Sequence, residues 1–331
     1  KAEELKQMLE QREEAEKEEL EPKAIREKGY EFPSELICLG SGSFSEVYLM
    51  KNKGVDIAAK VIELERTDNY VARFFNNSLK ILELVASKHR NIIRVMDIFR
   101  TNKRAFIMME CAAKGSVFDY LNDNGAVDEQ TGIRWLVDTC KGLNFLHTNE
   151  VAHRNIRTEN LLIDANLTVK IGGFSFSRLC VNPKNGKAVY SGTSCGAQPY
   201  YAPEILKGER YDPKASDIWS AGVVFFVSTQ KRYPFDYRDY TIQMQQQMGQ
   251  EWKSQRKLVR KLSDALMEVL SKMFDSNFKS RIKVRQVLKA LNVGDKDLEE
   301  AASVKQALMK KFAETGSRES VTSAGYMSST G

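Results

Sequence analysis

The 331-residue chain has few of the residues that build metal centres or disulfide frameworks: three histidines and five cysteines, Cys38, Cys111, Cys140, Cys180 and Cys195. The cysteines are scattered without paired ligand spacing, which argues against a zinc site and for reduced, mostly structural thiols. No apolar run approaches the roughly 18 residues that a membrane-spanning helix needs. The first 28 residues are charged and unlike a signal peptide, so a soluble cytoplasmic protein without membrane contact is expected. No internal repeat is present. The length suits one two-lobed unit with extensions better than several independent domains.

Charge is plentiful and unevenly placed. The net charge is +6, yet residues 1–28 hold seven Lys/Arg against ten Glu, a balance of −3 that leaves +9 on the remainder. Acidic surfaces are therefore candidate partners for the body. Lys253, Arg256, Lys257, Arg260 and Lys261 are spaced to share one helical face, a basic stripe suited to an acidic protein surface such as a tubulin tail. No aromatic residues interleave with the stripe, so nucleic acid is not an expected partner.

From Lys1 to about Glu21 the chain lacks both Gly and Pro, and Glu13 precedes Lys17 in the favourable i,i+4 order. This predicts a helical arm closed by Pro22. Residues 34–110 alternate short apolar runs with turn residues around one helical stretch, Tyr70 to Ser87, which reads as a small sheet with one helix. From Ser116 the pattern is mainly helical, with a strand pair near Leu161 to Ile163 and Val169 to Ile171. An α+β, two-lobed architecture follows. The expected boundaries are a charged arm (1–28), a small lobe (29–111), a large lobe (112–293), an amphipathic helix (294–314) and a Ser/Gly-rich tail (315–331). In the amphipathic helix Leu298, Ala301, Ala302, Leu308 and Phe312 line one face. The tail is expected to order only against a partner.

Leu39-Gly40-Ser41-Gly42-Ser43-Phe44-Ser45-Glu46-Val47 lies between two strand-like runs and resembles the glycine-rich loop of protein kinases. Glycines let the backbone approach phosphate oxygens. Ile57-Ala58-Ala59-Lys60 follows at the spacing of the phosphate-pairing lysine, and Phe106-Ile107-Met108-Met109-Glu110-Cys111 resembles the strand entering the interlobe hinge. The resemblance implies a bilobal protein-kinase fold with a five-stranded sheet in the small lobe. It also implies an adenine seat among Leu39, Val47, Ala58 and Met109, with backbone groups at Glu110 and Ala112. Matching Leu79, Ile81 and Leu82 to the helix that faces the lysine puts Ser78 where kinases carry a glutamate. Glu83, five residues on, points about 140° away from Ser78.

His153-Arg154-Asn155-Ile156-Arg157-Thr158-Glu159-Asn160 resembles the kinase catalytic loop, and Gly173-Phe174-Ser175 stands where the metal-binding Asp-Phe-Gly is expected. Asn155 occupies the base position, and an amide accepts a hydrogen bond but takes no proton near neutrality. Gly173 brings no carboxylate to magnesium. Arg157 and Asn160 are retained at the phosphate-contacting and second metal-ligand positions. The structural signatures also persist: Ala202-Pro203-Glu204 with Arg281 as its ion-pair partner, and Asp217 in Asp217-Ile218-Trp219 as the anchor of the catalytic loop. His153 and His89 read as structural.

Ser191 to Leu206, with Tyr211-Asp212-Pro213-Lys214, is similar to the testis-specific serine/threonine kinases of the calcium/calmodulin-dependent and AMP-activated group. That resemblance implies Thr193 as an activation-loop phosphosite beside Arg154, and a sperm setting that extends to the flagellar axoneme. Base, metal ligand and helix glutamate are lost together, so the expectation is a pseudokinase rather than an enzyme. It would act as a scaffold or assembly component through its arm, tail and basic stripe, with no required cofactor, no intact metal site and room for ATP. The alternatives are a weak or atypical ATP-dependent serine/threonine kinase and a nucleotide-responsive binding module.

Overall fold

Side-chain alternation along the strands separates two cores. The computed structural model describes residues 20–42, 45–64, 69–253, 259–294 and 304–314, without the side chains of 69–74. Strands β1 (Cys38–Gly42), β2 (Ser45–Asn52), β3 (Val55–Glu63), β4 (Val95–Arg100) and β5 (Arg104–Glu110) form one antiparallel sheet in the order β1-β2-β3-β5-β4. Successive strand residues point to opposite faces. Ile57, Ala59, Val61, Phe106 and Met108 accordingly pack on one face with Leu20, Ile25 and Tyr30. Ala58, Ile62, Ala105, Ile107 and Met109 pack on the other with helix α2 (Asn69–Val85). Lys60 shares that second face, so the alternation alone directs it toward the helix and the interlobe cleft.

Residues 20–30 cover the outer face of the sheet. Ile25, on helix α1 (Pro22–Glu27), is fully buried there, a burial that stabilises by about 1.5–3 kcal/mol. Pro22, expected at the end of the arm, stands at the opening of this helix. At the first helical position its fixed φ is already helical and its missing N–H has no intrahelical partner to lose. The helix expected over Lys1 to Glu21 lies almost wholly outside the described residues.

The large lobe contains α3 (Val117–Asn124), α4 (Glu129–Thr148), α5 (Pro203–Leu206), α6 (Pro213–Gln230), α7 (Tyr240–Met248), α8 (Asp264–Met273) and α9 (Val284–Ala290). Helix α6 is apolar around its circumference and accordingly buried along most of its length. Gly132 lets α4 approach it, since a Cβ there would come within 2.6 Å of Thr229. Short strands β6 (Val151–Ala152), β7 (Leu161–Ile163), β8 (Val169–Ile171) and β9 (Arg178–Leu179) pair as β6-β9 and β7-β8, and they frame the loops that carry the kinase-like motifs. A last helix, α10 (Lys305–Glu314), packs back onto the body with Leu308 and Phe312 buried. Leu298, Ala301, Ala302 and the tail from residue 315 lie outside the described residues.

Among the described residues of the basic stripe, Lys253, Arg260 and Lys261 do not share one helix. Lys253 sits in a 3-10 turn beside the buried Trp252, and Arg260 and Lys261 lie in an irregular segment. Arg256 and Lys257 are outside the described residues. Arg260 donates to the Ala126 carbonyl at 3.2 Å, and its own carbonyl accepts from Gln230, so this stretch is pinned to the lobe instead of running on as a helix. All five cysteines are free, and burial pushes the Cys140 and Cys180 thiols up to about 12. Among the described residues no helix is long and apolar enough to cross a membrane.

Candidate active site

Asp217, buried on α6, holds the catalytic-loop segment. Its carboxylate accepts from the backbone amides of His153 at 2.9 Å and Arg154 at 2.7 Å, and contacts His147 Nε2 at 2.9 Å. Arg154 is thereby kept in the left-handed region at φ 62°, a conformation that costs an ordinary residue about 1–2 kcal/mol. His153 Nε2 lies 2.7 Å from the Gly172 carbonyl, so that nitrogen carries the proton, and Nδ1 accepts from the Asn155 amide. Burial lowers the His153 pKa, which keeps this neutral tautomer. Its ring also meets Phe174 edge to face. The imidazole thus couples the catalytic loop to the segment after β8.

Asn155 comes out of this arrangement half-buried. Among the described residues no hydrogen bond engages its side-chain amide, and the activation-segment residue Gly196 lies alongside. Arg157 is turned to Glu159, whose carboxylate it meets through both Nε and Nη2. That bond raises the Arg157 pKa. Burial pushes the Glu159 carboxyl upward, but the arginine's hydrogen bonds and charge outweigh it and leave the pKa lowered. The cation expected at the phosphate therefore already has a carboxylate partner. Sequence reasoning missed Glu159 as that partner. The i,i+2 spacing gave no helical signal, and only the extended backbone at Arg157 brings the two together.

Gly173 adopts φ 70°, and a Cβ there would come within 2.3 Å of the Asn160 side chain. Asn160 in turn donates from Nδ2 to the Asn155 carbonyl at 2.7 Å, which ties it into the loop. The substitution at 173 and the rotamer at 160 thus fill one space. Across the cleft, Lys60 and Ser78 line a common cavity with Met109, Gly173 and Phe174. The Ser78 hydroxyl donates to the Phe75 carbonyl at 2.8 Å, and among the described residues Lys60 has no carboxylate partner. Desolvation by burial lowers its pKa. Glu83 faces away from this cavity and pairs with Lys311.

At the hinge, Glu110 pairs with Lys170 at 3.0 Å and accepts from the Arg94 amide at 2.8 Å. Its own amide donates to the Arg94 carbonyl, and the Ala112 carbonyl accepts from Gly115. Lys170 had no signal in the sequence beyond its place on a short strand. In the activation segment, Arg154 Nη1 donates to Ser191 Oγ at 3.2 Å, while the Thr193 carbonyl accepts from the Tyr211 hydroxyl at 2.9 Å. Arg281 meets Glu204 through two hydrogen bonds of 2.7 and 2.8 Å, with both side chains buried.

These residues fit a nucleotide better than a divalent ion. Val47, Ala58 and Met109 line the cleft face, and a Cβ at Gly40 would meet nothing within 4 Å, so the glycine loop fronts open space. For magnesium the donor set does not fit. Gly173 has no side chain, Asn160 fills its place, and the described residues contain no cluster of three His, Cys, Asp or Glu able to hold a metal.

A family model described as "Protein kinase domain" matches residues 34–291. Testis-specific serine/threonine-protein kinase 2 of Mus musculus is 33% identical over 219 residues, covering 65% of this chain and 60% of the relative. Testis-specific serine/threonine-protein kinase 1 of Homo sapiens is 30% identical over 60% of this chain and 55% of its own length. Serine/threonine-protein kinase SIK1 of Rattus norvegicus is 32% identical over 60% of this chain and 25% of its own. The chain thus spans a little over half the length of the testis-specific relatives it matches. These relatives are named as kinases, and that overturns the expectation that this chain is not an enzyme. The substitutions at Asn155, Gly173 and Ser78 stand, but the step from them to an absence of activity does not. The chain belongs to the protein kinase domain family, with testis-specific and SIK-type serine/threonine kinases among its relatives.

Proposed function

We propose that the chain is an atypical ATP-dependent serine/threonine kinase of low turnover. The observation that carries this reading is the placement of Asn155. Asp217 and His153 hold it on a fully formed catalytic loop, and its side-chain amide is left available to an incoming hydroxyl. In the proposed step the hydroxyl oxygen of a serine or threonine attacks the terminal phosphorus of ATP. The bond to the bridging oxygen breaks, ADP leaves with that electron pair, and the hydroxyl proton passes to a phosphate oxygen. Asn155 orients the hydroxyl by accepting its hydrogen bond and takes no proton. Lys60 supplies a cation in the cleft. Losing a positioned base slows such a step by roughly 10²- to 10⁴-fold, which leaves measurable transfer.

The names of the testis-specific relatives support a germ-cell setting for this chain. A place in the sperm flagellum, with tubulin or other axonemal proteins as partners through the arm and tail, is the extension of that setting. Crosslinking in situ identifies such a partner directly.

The test of the kinase reading is transfer of labelled phosphate from ATP to serine- and threonine-containing peptides, measured with magnesium, with manganese and with chelator. Slow incorporation that disappears in Lys60→Met and rises in Asn155→Asp is expected. Incorporation that persists unchanged in Lys60→Met would come from a contaminant and overturns the reading.

A further inference from the structure

Helix α10 bridges the two lobes on the side of α2 away from the cleft. At its start the Val304 amide donates to Asn149 Oδ1 at 2.8 Å, and Lys305 pairs with Glu150 at 2.9 Å. Asn149 and Glu150 form the turn between α4 and β6, and Glu150 is also held by Lys214 on α6. This end belongs to the large lobe. Toward its other end, Lys311 pairs with Glu83 and the Phe312 ring lies 5.8 Å from the Lys80 ammonium, both partners being on α2. Between them Leu308 is fully buried, in the same core as Leu79, Leu82 and Val85.

The geometry of α2 separates these contacts from the cleft. Lys80 and Glu83 are three residues apart and share a face. Ser78 points about 140° from Glu83 and about 200° from Lys80, toward Lys60 and Phe174. On the cleft side α2 has no ion pair to Lys60 among the described residues. On the opposite side it has an ion pair and a cation-π contact, both from one helix that is anchored to the large lobe and buries its own Leu308 and Phe312.

We infer that α10 is a positioning strap, in which Lys305, Leu308, Lys311 and Phe312 fix α2 against the large lobe in place of a link between α2 and Lys60. None of the four touches the reacting atoms, and each acts through the position of α2. The effect of the strap on turnover rests on the proposed kinase activity, whereas its effect on α2 does not.

The deciding experiment is hydrogen exchange of the full chain, comparing peptides from residues 75–85 with peptides from α6. Phe312→Ala is expected to speed exchange in α2 at least about tenfold, with α6 little changed. Lys311→Glu and Glu83→Lys are each expected to give a smaller, roughly two- to fivefold effect, since their pair is partly exposed. The double reversal should restore wild-type protection, a rescue that tests the contact in a chain known to fold. In the transfer assay the single variants should lower kcat with the peptide KM unchanged, and the double reversal should recover it. Unchanged α2 exchange in Phe312→Ala, an equal increase in α2 and α6, or failure of the double reversal to rescue would each overturn the strap. Wild-type protein without phosphate transfer but with the α2-selective pattern upholds the strap and overturns only the kinase reading.

Discussion

The Glu204–Arg281–Asp217 frame and the Lys60–Ser78–Gly173 cleft lie in one fold, yet they treat buried polar groups in opposite ways. In the frame each buried charge meets its complement: Arg281 meets Glu204 in a two-pronged pair, and Asp217 accepts two backbone amides and contacts His147. In the cleft Lys60 is desolvated without a carboxylate among the described residues, and the space beside Gly173 is filled by an amide side chain. Removing one half of a buried pair leaves a costly orphan, so the frame resists substitution. In the cleft the positions without carboxylates are taken up by neutral groups, Ser78 bonding within its own helix and Asn160 filling the space beside Gly173, and the remaining cost falls on Lys60. The same chain can therefore keep its architecture while its catalytic groups change.

The largest effect that would break this contrast is catalytic. Asn155→Asp places a base on a loop that is already held in shape, and is expected to raise kcat by roughly 10²- to 10⁴-fold in the peptide transfer assay. No gain would mean that the loop, and not only its side chain, departs from a working geometry. Next in size is the frame itself: Arg281→Ala should cost about 3–5 kcal/mol in urea denaturation, because it leaves Glu204 buried and unpaired. Gly173→Asp is expected to destabilise by about 1–2 kcal/mol through its left-handed backbone, with a further penalty from displacing Asn160. Adding Asn160→Ala should recover part of the second loss, which separates steric from backbone strain in the same melt.

The smallest effect concerns Lys60 and carries a pH signature. Its folded pKa lies below the unfolded value, so at neutral pH the folded state bears the cost of a desolvated ammonium. That cost is lifted as pH rises through the folded pKa toward the unfolded value of about 10.4. Lys60→Met should therefore raise the thermal midpoint at pH 7, and the difference from wild type should shrink as pH approaches 10. A midpoint that instead falls in Lys60→Met at pH 7 would mean that Lys60 has a carboxylate partner after all.

Much of this was legible in the sequence, for identifiable reasons. The β7 and β8 strands fall where their short apolar runs placed them, and α2 begins and ends within two residues of the helical periodicity around Phe75, Leu79, Leu82 and Val85. Strongly periodic segments announce themselves because burial on one face is a local property of the pattern. The short helix after Pro22 was not legible, because only the burial of Ile25 against the sheet reveals it. The helical spacing of the basic stripe does not carry through to Arg260, which Gln230 and Ala126 hold in an irregular segment. The larger error was functional. Missing carboxylates were equated with missing activity, although a lost base lowers a rate without setting it to zero.

By itself the sequence determined the family, the strand alternation that points Lys60 into the cleft, and the identities at positions 78, 155 and 173. Each is carried by residue type and spacing, which need no long-range contact to be read. The tertiary structure alone decided that Arg157 is occupied by Glu159, that Asn160 fills the space above Gly173, and that Glu83 turns away from Lys60 to meet Lys311. Those are choices among partners, and a side chain chooses its partner by distance and desolvation in the folded chain, where residues 228 apart in sequence can compete with neighbours two apart.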